Sequence, residues 1–519
     1  MSFSTAAHEP SILSLALATT FIFLVTVAIY RLTLHPLAGV PGPVLAATTG
    51  LHETYFQLWK DGGGRHWVEV DRLHRIYGPI VRISPWEVHI ADPEWNDIFK
   101  LSSKANKPWW YYKSFGTVQS TATVELDSVH KIRRKAFQTW FSSENVARNI
   151  PNVQATVKKL HDRLLDFAGH AVNLNDAYRS LAIDVATNFA FDKSFNNLDD
   201  PLFSKDFNDG IRKYSNMGMM NRYMFAVPFN LLQLLPRSIS RRITHPALAS
   251  FMALLHDYTR YSMSRPLVAH EHAQDMVQSM LTSDLSPELK CFDVVFGDCR
   301  SVILAGTETT ATVLTCITYH LLSKPDVMRN LTQELLQAQK EKKSLGYSEL
   351  RALPYLTAVI QEGLRTSYST TGRLARYSRV ADLHYKQYSL PRGTYISTSP
   401  HDVHMNPAIF PEPHSFLPER WLQASDQRRL SNHLQPWGRG TRLCLGMDLA
   451  YTDLYLTVAH LFGPQCRFNM RLFETEKKDW DAYGDFFGPM PRPGARGLRV
   501  VIEPHCNPSP VEPKTMRTT

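Results

Sequence analysis

One cysteine in this chain stands where a thiolate could be held. The run Trp437-Gly438-Arg439-Gly440-Thr441-Arg442-Leu443-Cys444-Leu445-Gly446 is followed by a helical pattern through Met447, Leu454, Val458 and Leu461, so Cys444 lies at a helix start. Backbone N–H groups and the positive end of the helix dipole stabilise a thiolate there. Gly440 and Gly446 let the backbone pass close to something flat and large. A lone cysteine in that place would be packing, but three further patterns accompany it. Glu362 and Arg365 stand at i, i+3 on an apolar helix that opens near Pro354, where two buried charges need another partner. Farther along comes Pro418-Glu419-Arg420-Trp421, preceded by Phe410-Pro411-Glu412-Pro413. Finally, Ala305-Gly306-Thr307-Glu308-Thr309-Thr310 lies inside Phe292–Leu322, a segment apolar nearly all round. A glycine in mid-helix costs about 1 kcal/mol and a buried glutamate more, so a helix serving packing alone would not carry them.

Gly440-x-Arg442-x-Cys444-x-Gly446, preceded along the chain by Glu362-x-x-Arg365 and then Pro-Glu-Arg-Trp, resembles the signature series of cytochrome P450. The resemblance implies haem b, with the Cys444 thiolate as proximal iron ligand and Arg442 on a haem propionate. It assigns Glu362, Arg365 and Arg420 to a structural ion-pair network. In the Ala305-Gly306-Thr307-Glu308-Thr309 stretch, Gly306 is expected to leave a groove over the iron, Thr309 to donate a hydrogen bond to bound dioxygen, and Glu308 to relay protons from solvent. His130, Arg134 and Arg376 match positions that bond the propionates. Trp437 stands where the family usually has phenylalanine, and its indole N–H is expected to tune the thiolate's surroundings. The implied reaction inserts one atom of O2 into an apolar small molecule, by hydroxylation or epoxidation, with NADPH electrons from NADPH–cytochrome P450 reductase and cytochrome b5 as a possible second donor. Lys131, Lys135, Arg133 and Arg439 form the expected cationic patch for that acidic partner. Tyr77–Pro85 and Leu353–Arg365 are similar to filamentous-fungal members of the trichodiene oxygenase type, which favours secondary metabolism, with a terpenoid substrate first and a polyketide or alkaloid as the alternative. A haem-thiolate isomerase or dehydratase that needs no reductase is the other alternative.

The elements that must position these residues are mainly helical. Asn145 to about Leu345 repeats its apolar residues at helical spacing, punctuated by prolines. Ile80 to Ile90 alternates around a Ser-Pro break and predicts a strand pair, with short strands again at Tyr377–Val380, Tyr385–Leu390, Tyr395–Ser397 and Leu498–Ile502. This is a mainly α chain with a small β region, and the resemblance implies a triangular P450 fold. Ahead of it, Ile12–Tyr30 carries no charge and would span about 28 Å as a helix, one transmembrane anchor. Residues 1–11 then lie in the lumen, because the first Lys or Arg is Arg31 and the basic body follows it, which places the catalytic domain on the cytosolic face of the endoplasmic reticulum. Residues 31–44 read as a Pro-rich hinge, 45–503 as one catalytic domain and 504–519 as a disordered tail.

Composition excludes several classes. Across 519 residues, 44% hydrophobic and 20% charged content is that of a globular protein with a large core. Cys291, Cys299, Cys316, Cys444, Cys466 and Cys506 are too sparse for a disulfide framework. The 57 basic residues against 48 acidic ones are dispersed, and no nucleic-acid-binding motif occurs. Substrate specificity is expected from Trp109–Ser120, Met217–Phe229, Ile303–Thr307 and Thr370–Arg373, with Trp110, Phe115, Met220, Ile303, Thr370 and Thr371 lining the pocket and Met217, Met219, Met220 and Met224 an adaptable apolar entrance near the bilayer.

Overall fold

Apolar residues at helical spacing between proline stops make this a helical chain, and the computed structural model describes it over residues 12–113, 120–211, 222–223, 246–268, 273–342, 345–486 and 488–505. Helices α1 (Ile12–Thr33), α2 (Val44–Thr48), α3 (Leu51–Leu58) and α4 (His66–Tyr77) precede strands β1 (Ile80–Ser84) and β2 (Glu87–Ile90). There follow α5 (Trp109–Lys113), α6 (Asp127–Gln138), α7 (Ser143–Leu165), β3 (Ala171–Asn173), α8 (Leu174–Phe191) and the long α9 (Phe292–Ser323). Then come α10 (Pro354–Thr366), β4 (Leu383–Tyr385), β5 (Tyr388–Leu390), β6 (Tyr395–Ser397), α11 (Met447–Phe462), β7 (Phe468–Leu472), β8 (Gly484–Phe486), β9 (Gly488–Met490) and β10 (Arg499–Pro504).

The core is built around α9. Its Val295, Cys299, Ile303, Leu314, Ile317 and Leu321 are buried among side chains of α7, α8, α10 and α11. It stops at Ser323 because Pro325 cannot continue it and instead opens the next helix. The β region consists of small sheets at the periphery. β2 is central in one, antiparallel to β1 and parallel to β6. β10 is central in another, with Val500 opposite both Val172 of β3 and Leu472 of β7.

Several elements differ from the sequence expectation. Tyr385–Leu390 is a hairpin, β4 turning into β5 through Lys386 at φ 51°. Tyr377–Val380 forms only one isolated bridge, Tyr377 to Asn106, beside that of the preceding Arg376 to Ile396. β3, β7, β8 and β9 were not anticipated, since three to five residues at a sheet edge carry little periodic signal. The helix α1 continues to Thr33, past Tyr30, because nothing before Pro36 stops it.

The Pro-rich segment is a packed strap rather than a hinge. Leu37 and Val40 are buried against Ile80, Val88 and Ile396. The fully buried Arg82 donates from Nη1 to the Arg31 carbonyl at 2.8 Å and from Nη2 to the Pro85 carbonyl at 2.8 Å. Arg31 in turn donates to the Thr48 carbonyl at 2.6 Å, tying the end of α1 to α2. α1 itself buries no residue, so its apolar surface suits a lipid surround. Among the described residues the other helix apolar enough to cross a membrane, α9, is mostly inside the protein.

At one point the core tolerates no side chain. A Cβ built on Gly363 of α10 would lie 2.7 Å from Cδ1 of Ile317 on α9. Gly363→Val should therefore force the two helices apart and lower stability by about 1–3 kcal/mol, read as a reduced thermal midpoint with the helical circular-dichroism signal retained below it.

Candidate active site

The cysteine loop is shaped by backbone. Gly438 and Gly440 take φ of 73° and 71°, and a Cβ on Gly440 would meet the Phe99 carbonyl at 2.6 Å, so glycine is required there twice over. Gly440–Arg442 make one 3₁₀ turn, and the Cys444 N–H donates to the Trp437 carbonyl at 2.9 Å. Arg134 reaches the loop from α6 and donates to the Leu443 carbonyl at 2.7 Å. The Cys444 thiol is accessible yet ringed by protein. Burial pushes it up, while the Gly446 backbone N–H and the Arg134 charge pull it the other way. The indole N–H of Trp437 does not serve the thiolate as expected: it donates to the Tyr451 hydroxyl at 3.2 Å. Gly446 approaches Phe141.

Beside the loop lies a cradle of cations. Arg442 donates to the Val124 and Glu125 carbonyls at 3.0 Å each, and its buried Nε has no protein partner. Arg376 donates to the Tyr112 hydroxyl at 2.6 Å. The Lys107 ammonium stands 4.3 Å over the Tyr112 ring and bonds the Ala122 carbonyl. His130 is buried with its Nδ1 unpartnered. Burial and the charges of Arg442, Lys107, Arg134 and Arg376 push His130 down to about 2. Burial and Arg376 lower Arg442 to about 9, and Lys107 falls well below its ordinary value through burial, Arg376 and Arg442. Cations that depress one another in this way call for an anionic ligand. Sequence reasoning missed Lys107 and Tyr112, whose only local signal is the aromatic run after Pro108.

The stretch of α9 that could activate oxygen exposes Ala305, with Gly306 and Thr309 half-exposed, while Ile303, Thr307 and Thr310 are buried. Thr309 Oγ1 donates to the Ala305 carbonyl at 2.9 Å. Gly306 does not turn its open side to this stripe: a methyl there would meet Ala186 of α8 at 3.7 Å. Glu308 is held by a bidentate pair from the buried Arg179 of α8, at 2.8 and 2.7 Å. Burial opposes that guanidinium's charge, but Glu308 and Asp176 more than offset it and raise Arg179.

Glu362, Arg365 and Arg420 come together. The Glu362 carboxylate accepts from Arg365 at 2.6 and 2.9 Å and from Arg420 at 3.2 Å. It also takes the Trp421 indole N–H at 2.8 Å and the Leu417 N–H at 2.9 Å. Trp421 was in the quoted motif without an assigned role.

Other expected residues are placed differently. Arg133 is no surface cation: it is buried and paired with Asp298 at 2.6 Å, because α6 turns that side inward. Arg439 is half-buried, whereas Lys131 and Lys135 are exposed as expected. Ile303 is fully buried in the core cluster, since its side of α9 faces α8. Thr371 is buried and donates to Asp485 at 2.8 Å, Thr370 is half-buried, and Trp110 packs beside Tyr111 and Tyr395. Phe115 and Met220 lie outside the described residues.

The cytochrome P450 family model matches residues 53–481 of this chain. The chain belongs to the cytochrome P450 family. This P450 is 34% identical to the cytochrome P450 monooxygenase tpcC of Cochliobolus heterostrophus, over 95% of this chain and 97% of that one. It is 32% identical to the N-acetyltryptophan 6-hydroxylase ivoC of Emericella nidulans, over 94% and 97%. In fold it is similar to the crystal structure of the cytochrome P450DA heme domain, with TM-score 0.70 and 16% identity over 90% of this chain and 98% of that one. The protein is a haem-thiolate monooxygenase that works with a redox partner, O2 and an organic substrate. The residues present fit the cofactor: an accessible thiol at a helix start, an uncovered stripe on α9, and a cradle whose unpartnered Arg442 Nε and His130 Nδ1 suit two propionates.

Two outcomes test this site. Cys444→Ser should abolish the red-shifted Soret band of the reduced carbon monoxide complex while the far-ultraviolet dichroism is unchanged. Lys107→Met and Arg442→Met should each speed haem loss to an acceptor protein by about tenfold or more, as expected for a lost charge-assisted hydrogen bond.

Proposed function

We propose that this P450 performs a tailoring step, a hydroxylation or epoxidation, on an apolar secondary metabolite, with a terpenoid skeleton first in order. The observation that carries the reading is full-length kinship to fungal monooxygenases combined with an intact thiolate loop, Glu308 and Thr309. The α1 helix anchors the protein in the endoplasmic reticulum membrane, where an apolar substrate is concentrated, and the exposed Lys131 and Lys135 of α6 receive NADPH–cytochrome P450 reductase, with cytochrome b5 as a second donor.

When bound, the haem supplies the activation of dioxygen; the chain supplies orientation and protons. The Thr309 hydroxyl, now spent on the Ala305 carbonyl, can turn its proton toward the uncovered stripe without breaking a helix bond. Glu308 can pass protons to that hydroxyl, and Arg179 decides how long it stays in one rotamer. Arg442, Arg376, Lys107 and His130 would hold the propionate edge, and Glu362 with its donors fixes the loops behind it.

A second substrate reading, attack on an aromatic ring, is favoured by the similarity to an N-acetyltryptophan 6-hydroxylase. Reconstitution with reductase and NADPH against terpenoid, polyketide and indole panels separates the two, and turnover of fatty acids alone would sink both. Thr309→Val is expected to leave substrate binding within about twofold but to lower product formed per NADPH by about tenfold or more, the size of a lost proton-transfer group. Turnover without NADPH would point instead to an isomerase.

A further inference from the structure

Trp437 departs from the phenylalanine usual at its place, and it heads a line of rings. Its carbonyl accepts the Cys444 N–H at 2.9 Å, so the indole belongs to the thiolate loop. The indole lies 5.1 Å, centroid to centroid, from the ring of Tyr451 on α11, besides donating to that hydroxyl at 3.2 Å. Tyr455, one helical turn farther on, is buried and centred 6.3 Å from Tyr451. Tyr347, which opens the short helix Tyr347–Arg351, stands edge-on to Tyr455 at 6.0 Å and is partly exposed. Each step is within the separation of an aromatic pair, so oxidisable rings run in succession from the cysteine loop to the surface.

Packing alone would be served by phenylalanine and leucine, which bring no hydroxyl to satisfy. Here the hydroxyls are arranged to part with protons. Thr357 donates to the Arg351 carbonyl at 3.2 Å, so the contact of 2.9 Å between its Oγ1 and the Tyr455 hydroxyl has the phenol as donor. Burial raises the phenols of Tyr347, Tyr451 and Tyr455, which are therefore neutral at physiological pH. The Arg351 guanidinium lies 5.8 Å over the Tyr347 ring and 6.0 Å over that of Tyr451. A cation there disfavours a positively charged radical, so a tyrosine oxidised in this line gives up its proton and stays neutral. Only a strongly oxidising centre draws electrons from phenol or indole, and electrons arriving from a reductase have no need of such rings. The line suits the removal of oxidising equivalents rather than the delivery of electrons.

We propose that Trp437, Tyr451, Tyr455 and Tyr347 form a relay that discharges oxidising equivalents stranded at the haem site when no substrate is oxidised, and so spares the Cys444 thiolate. In one passage an electron moves inward from Tyr347 through Tyr455 and Tyr451 to Trp437 and on to the site. Tyr347 is left as a neutral radical, its hydroxyl proton released to solvent, and a soluble thiol returns one electron and one proton to it. Two passages supply two electrons; two protons from solvent turn the stranded oxygen atom into water, and the two spent thiols leave as a disulfide. This goes beyond the proposed function and holds for any substrate.

The test mixes full-length holoenzyme, without substrate, with peracetic acid. Freeze-quenched samples are read by electron paramagnetic resonance, and bleaching of the Soret band is followed in parallel. The wild type should show an organic radical whose spectrum narrows when the tyrosines are ring-deuterated. Trp437→Phe and Tyr451→Phe should each lose most of that signal and bleach severalfold faster. In Tyr347→Phe the radical should persist but be quenched much more slowly by glutathione, because the outer ring is the one a thiol reaches. Tyr385→Phe, outside the line, should leave signal and bleaching as in the wild type. The carbon monoxide band shows that each variant is folded with its thiolate on the iron; if Trp437→Phe lacks it, Tyr451→Phe decides by the same readings. A wild type with no tyrosine radical overturns the proposal. So does a signal and bleaching rate unchanged in Tyr451→Phe, or a loss as large in Tyr385→Phe. None of these readings requires substrate turnover, so the monooxygenase function stands under either result.

Discussion

The Glu362 carboxylate is the constraint on which the rest of the site depends. It is fully buried and takes donors from Arg365, Arg420, Trp421 and the Leu417 backbone. Arg365 spends its remaining N–H groups on the His404, Pro413 and Ser415 carbonyls. One ion pair on α10 therefore fastens three stretches of irregular chain that lead to the cysteine loop. Such a pair contributes little net stability, yet removing one member leaves an uncompensated buried charge costing about 3–5 kcal/mol. The network specifies where the loops lie more than it stabilises the fold.

The cation cradle follows the opposite logic. Lys107, Arg376, Arg442 and His130 come from separate segments and repel one another. Backbone carbonyls of residues 122–125 and the Tyr112 ring hold the cations in place. Affinity for a dianionic edge is thus built in by holding the cations mostly with neutral groups, Asp127 being a carboxylate that offsets part of the charge on Arg442. The same economy explains why His130 can be neutral there: a second uncharged donor orients a propionate without adding repulsion.

Glu308 and Trp437 show how a family motif is altered by its surroundings. The Glu308 carboxylate, expected to relay protons from solvent, is clasped by Arg179, a residue more than a hundred positions away on α8, so its position is coupled to the packing of α8 on α9. A Trp437 indole expected beside the thiolate is turned to Tyr451 of α11, where it ties the cysteine loop to the helix that follows it.

Local pattern alone was enough for the helical class, the long central helix and the apolar N-terminal helix, each dictated by residue type and spacing within one segment, whereas Cys444, Glu362–Arg365 and Arg420 were singled out by the order of their motifs and its resemblance to the family series. The sign of Arg133, the direction of Gly306, the packed strap at Leu37 and Val40, and the roles of Lys107, Tyr112 and Arg179 were legible in neither. These depend on which side of an element meets which neighbour, through contacts such as Arg133 with Asp298 and Arg82 with the Arg31 carbonyl. A buried charge takes its meaning from partners distant in sequence, and only the packed chain brings them within hydrogen-bond reach.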